Sequence, residues 1–64
     1  MENMFWTVKD DEGIIRPLAI ITPAKTDDLT GKDYGLITVN DWLAKPANKD
    51  WELVKIRLEE IINQ

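Results

Sequence analysis

Apolar and polar positions alternate near the start of the chain. In residues 4–9, Met4, Trp6 and Val8 fall on one side and Phe5, Thr7 and Lys9 on the other. A period of two, carried by aromatic and β-branched residues, predicts a strand. Asp10-Asp11-Glu12-Gly13 follows as a polar turn, with Gly13 placed to take a positive φ. Residues 14–22 form a second β-rich run. Pro17 interrupts it and points to an edge position or a bulge, because proline has no N–H to give to a ladder. Residues 4–22 together predict a hairpin.

Residues 23–33 have the composition of a loop, with Lys25, Thr26, Asp27, Asp28, Thr30, Gly31 and Lys32. Loops longer than the usual connection are often functional or mobile. Residues 34–39 read as a third strand. Asn40 is a good N-cap, and residues 41–45 predict one or two helical turns ending at Pro46. The C-terminal segment predicts the longest helix: Asp50 caps, Glu52 sits in the first turn, and Trp51, Val54, Leu58, Ile61 and Ile62 share one face. Lys55 and Glu59 have the i,i+4 spacing of a helical ion pair, while Leu53 and Ile56 form a smaller apolar patch on the opposite side. The fold class that follows is α+β. A small antiparallel sheet of two to three strands, including the N-terminal hairpin, packs against a C-terminal amphipathic helix, and residues 1–64 form one domain.

Size sharpens this picture. A chain this short buries only about 60% of the surface its unfolded form exposes, and such a core rarely supplies more than about 3–5 kcal/mol. The sequence has no cysteine and no histidine, which removes disulfides and the best zinc ligands as supports. Tight packing around three tryptophans and eight isoleucines, a homodimer, or a partner must serve instead. Absence of cysteine fits a reducing compartment. The N-terminus lacks the basic and apolar regions of a signal peptide, and no run approaches the roughly 20 apolar residues of a membrane span. The expectation is a cytoplasmic protein without membrane partners.

Composition also narrows the chemistry. With no serine, histidine or cysteine, nucleophile–imidazole arrangements cannot be built. Gly31-Lys32 does not complete a phosphate loop, since Thr26 stands where the first glycine belongs and Asp33 follows the lysine. The acids of 10–12 and 27–28 fail the spacing of a calcium loop and read as solvated turn carboxylates. No cofactor or metal is expected. Net charge is −4, from twelve acids and eight bases spread along the chain, so no basic cluster awaits a phosphate backbone. A helix-turn-helix over residues 38–62 would set Lys49, Lys55 and Arg57 beside Glu52, Glu59 and Glu60. Stacking of bases on Phe5, Trp6 and Tyr34 would lack an electrostatic groove.

The remaining signal is aromatic and apolar surface. Trp6 and Trp51 read as core, whereas Trp42 lies in a short segment between a predicted strand and Pro46, where burial is less assured. Trp42, Leu53 and Ile56 are therefore the candidate anchors for a partner, with Asp27 and Asp28 steering toward a basic one. The functional expectation is a small non-enzymatic regulator or inhibitor, of the kind common in bacteria and bacteriophages, that occludes a protein surface. The alternative is a dimeric nucleic-acid-associated regulator, helix-turn-helix-like or single-strand binding.

Overall fold

The first strand, β1 (Met4–Lys9), forms where its alternation predicts and becomes the central strand of the sheet. The computed structural model describes residues 3–62, Ile62 in its backbone only. On one side β1 pairs antiparallel with β2 (Ile21–Pro23), Trp6 opposite Thr22. On the other it pairs antiparallel with β3 (Glu52–Arg57), from Met4 opposite Arg57 to Lys9 opposite Glu52. The architecture is α+β, a small antiparallel sheet with helices, as the sequence predicts.

The expected hairpin is present in a broken form. Gly13 takes φ 81° in the turn, and Ile15 bridges Lys9. The chain then leaves the ladder through Pro17-Leu18-Ala19 and rejoins it only at Ile21. The departure is held down by Thr7, a buried residue whose hydroxyl donates to the Ile20 carbonyl oxygen.

Two assignments differ from expectation. Residues 34–39 are not a strand but the start of α1 (Tyr34–Leu43), and its N-cap is Asp33 rather than Asn40. Asp33 Oδ1 accepts from Leu36 N–H at 3.0 Å and meets a donor that the helix start leaves unpaired. Gly35 and Val39, four apart, are buried, while Leu36, Trp42 and Leu43 are half-buried, giving a single helical face. Residues 41–45 do not begin a separate helix: α1 runs through Leu43, and a short 3-10 turn follows at Pro46–Asn48. The expected long C-terminal helix is instead β3 followed by the short α2 (Leu58–Ile62). Helix-forming side chains are overridden here because β1 offers a whole ladder for pairing, and strand preference follows such context. Lys55 and Glu59 consequently do not meet as helical neighbours. Lys55 Nζ lies 5.1 Å above the Trp6 ring, and Glu59 approaches Arg57 at 3.9 Å.

Because β2 and β3 both run antiparallel to β1, they are parallel to each other, and α1 connects them across one sheet face. That face carries Trp6, Val8, Thr22 and Leu53. Trp6 Nε1 donates to Asp33 Oδ2 at 2.7 Å at the start of α1, and Trp42 near its end meets Trp51 edge-on. Among the described residues, Val8, Val39 and Ile56 form the buried core, and Pro17 is buried in the segment after β1.

Gly35 lets α1 approach β2. A Cβ there would run into the Pro23 carbonyl oxygen and lie 3.1 Å from the Thr22 hydroxyl. Gly35→Ala is therefore expected to lower stability in urea unfolding by about 1–3 kcal/mol, although in an isolated helix the same change stabilises by roughly 0.5–1 kcal/mol. Asp33→Ala, which removes the cap, is expected to cost about 0.5–2 kcal/mol, with the added loss of the Trp6 hydrogen bond visible as a change in indole fluorescence.

Candidate partner-binding groove

The segment after β1 is built on one carboxylate. Asp10 Oδ1 accepts from the backbone N–H groups of Glu12 (2.9 Å) and Ile14 (3.0 Å), and its Oδ2 accepts from Arg16 Nε at 2.8 Å. The Ile14 N–H and the Arg16 guanidinium, in that order, hold the Asp10 carboxyl below the ordinary aspartate range, against the opposing effect of burial. At 8% exposure Asp10 is a structural group, and it fixes the path of the chain as far as Arg16.

That path ends in an exposed apolar tip. Pro17 is buried, and Leu18 beside it is fully exposed at 103%. Across from this tip stands Trp51, half-buried and braced by Trp42 with ring centroids 5.2 Å apart and planes at 64°. Between them lies a groove of about 650 Å³ with Ile14, Ile15, Pro17, Leu18, Ala19 and Trp51 along it. Asp11 and Glu12 border the same groove, both exposed. Among the described residues, Arg16 is the one basic side chain along it, and its charge is engaged by Asp10.

The residues singled out from the sequence are not gathered in one place. Trp42 reaches the groove only indirectly, through Trp51. Leu53 and Ile56 do not share an exposed helix face. They lie on opposite faces of β3, Leu53 half-buried and Ile56 only 2% exposed, because a strand turns alternate side chains to opposite sides. Ile56 is thus part of the core. Asp27 is committed to its own turn: Oδ1 accepts from Leu29 N–H at 2.8 Å and Thr30 N–H at 3.0 Å. The Thr30 contact, then that of Leu29, holds its carboxyl below the ordinary range. Asp28 is exposed in that turn, next to Leu29, which is 96% exposed. Asp27 borders a separate hollow of about 350 Å³ between β2 and the start of α1.

Leu18 and Ile14 were not singled out by the sequence pattern. The available signal was Pro17 inside a β-rich run, which marks where the chain leaves the sheet and exposes its neighbours. Residues 38–62 hold no helix-turn-helix, since 52–57 are a strand, and Phe5 and Trp6 lie on opposite sheet faces, with Tyr34 in α1. Among the described residues, no three acidic side chains converge as a metal site, and no helix is long and apolar enough to cross a membrane. No known protein family, curated protein or solved structure matches the chain.

Asp10 titrates below its unfolded value, so its contribution to stability is complete above the unfolded pKa of about 3.9 and is lost as pH falls through the folded value. Urea midpoints are expected to hold near neutrality and to drop in acid below about pH 4. Asp10→Asn should lower the neutral midpoint and flatten the acid dependence. An unchanged acid slope in that variant would show that Asp10 does not organise the segment.

Proposed function

We propose that the chain is a small non-enzymatic binding protein that covers a surface of another protein through the groove between Leu18 and Trp51. The observation that carries this reading is a fully exposed leucine beside a braced tryptophan, bordered by Asp11 and Glu12. Exposed large apolar groups placed around a concavity mark contact sites more often than scattered ones do. Aromatic anchors of this kind carry most of the energy in protein interfaces.

The acids define the partner's chemistry. Asp11 and Glu12 suit a segment that carries an apolar side chain for the groove and lysine or arginine beside it. The net charge of −4 favours encounter with a basic surface. Trp42 acts behind Trp51 as its brace. Leu29 and Asp28 form a second exposed apolar and acidic pair, in the turn that Asp27 organises. The absence of serine, cysteine and histidine from the sequence supports a role in binding rather than covalent catalysis. A cytoplasmic setting agrees with a cysteine-free chain.

Nucleic-acid binding receives less support, because Lys55 is engaged over Trp6 and the groove is acidic. Affinity capture from a bacterial lysate, with and without nuclease, separates the two readings. A protein retained after nuclease is expected. Leu18→Asp should release it, and so should Asp11→Lys combined with Glu12→Lys. These exposed positions leave the fold intact, which circular dichroism checks. Retention unaffected by either variant removes the groove from the reading, and recovery that vanishes with nuclease favours nucleic acid.

A further inference from the structure

The two edges of the sheet are not equivalent. Met4 and Val8 carbonyls accept from Ala24 and Arg16 N–H groups, so the even-numbered residues of β1 direct their backbone polar groups toward β2. The odd-numbered ones face β3, and Leu58 N–H to the Asn3 carbonyl continues the same phase. On β3 it follows that Glu52, Val54 and Ile56 bond to β1, while Leu53, Lys55 and Arg57 point their N–H and C=O groups away from the sheet. The Arg57 N–H, directed outward, is taken by Glu60 Oε2 at 2.7 Å. At the other end Trp51 N–H is committed to the Asn48 carbonyl. Between these two closures, the backbone N–H and C=O of Leu53 and Lys55 have no partner among the described residues.

The opposite edge is short, and among the described residues Ile21 is its one outward position with both backbone groups open. β2 is three residues long, and Pro23, at one of its outward positions, has no N–H, while its carbonyl is crowded by Gly35. A sheet with one long open edge and one short, proline-bearing edge pairs through the long one.

We propose that the β3 edge is a homodimer interface, in which two copies pair antiparallel about a two-fold axis with Leu53 opposite Lys55 of the second copy. A two-fold axis normal to the sheet requires opposed residues to lie on the same face, which restricts the register to steps of two. With Leu53 opposite Lys55, every free donor and acceptor of the edge is used, and Val54 meets Val54 at the axis. Trp51 then lies across from Arg57, so no like charges oppose. Moving the register one way sets Lys55 against Lys55 or against Arg57, which like-charge repulsion disfavours. Moving it the other way, to Leu53 against Leu53, turns the Lys55 carbonyl toward the Trp51 N–H already given to Asn48. Lysines on edges commonly protect against such pairing. Here the ammonium of Lys55 is held over Trp6 of its own chain, which leaves the backbone approachable. Trp51 is common to this edge and to the groove, but Leu18, Asp11 and Glu12 lie outside β3, so variants at those three positions test the groove without altering the edge.

Sedimentation equilibrium of the full chain from micromolar to millimolar concentration tests this directly. The mass is expected to rise from that of one chain to that of two and stop there. Over the same range, the amide protons of Leu53 and Lys55 should gain protection from exchange. The chain is short enough for chemical synthesis with a methyl group on the backbone nitrogen of Lys55, which removes a donor directed away from β1. This modification should keep the β signal in circular dichroism and raise the concentration needed for dimer by at least about tenfold. A chain that stays monomeric throughout, a mass that grows beyond two copies, or a dimer in which Leu53 and Lys55 amides remain unprotected each overturns the proposal.

Discussion

One carboxylate joins the two layers of this molecule. Asp33 gives Oδ2 to the Trp6 indole in the central strand and Oδ1 to the first turn of α1, so the helix starts where the sheet specifies. The indole N–H, more than any other contact, lowers the pKa of Asp33, with the backbone donors of the helix start adding to the effect and burial opposing it. Lys55 lies over the other part of the same ring. Trp6 thus stands between an anion at its edge and a cation on its face, an arrangement its quadrupole favours on both counts. Of the enclosed apolar side chains, Val8 and Val39 belong to the helix–sheet contact while Ile56 faces the other way, so this polar tie adds orientation to a small apolar contact.

The same device recurs on a smaller scale. Asp10 and Asp27 each gather backbone N–H groups of the residues that follow, and both carboxyls are held below the ordinary range for that reason. Each organises a segment with an exposed leucine, Leu18 two residues beyond the Asp10 contacts and Leu29 within the Asp27 turn. The acidity of the chain therefore has two uses. Part of it fixes backbone, and the part left over, at Asp11, Glu12 and Asp28, remains on the surface beside apolar groups.

How much of this could be read in advance differs by segment. β1 and its turn were legible because alternation, β-branching and Gly13 all point the same way. α1 was obscured by Ile37, Thr38 and Val39, which favour strands, and by Gly35, which weakens an isolated helix. Its signature was the spacing of Leu36, Val39, Trp42 and Leu43 after a capping Asp33. Residues 51–58 satisfy both periods: Trp51, Val54 and Leu58 suit a helix, and Val54 with Ile56 suits a strand. Only the need of β1 for a second neighbour decides between them, and that is a long-range fact no local window contains. The groove was hidden for the same reason, since Trp51 meets residues 14–19 only after β3 has docked.

The placement of β1 at the centre of the sheet bears on how the protein is made. The strand synthesised first has neighbours drawn from far along the chain, with Met4 opposite Arg57. On the ribosome, Phe5 and Trp6 emerge uncovered on the two faces of β1, and the β1–β3 ladder cannot close until residues 52–57 have followed. Closing so long a loop carries an entropic cost that local structure does not repay in advance. The nascent chain therefore reaches its fold late and as a unit, and during translation Phe5 and Trp6 are available to chaperones in a way the finished protein no longer permits.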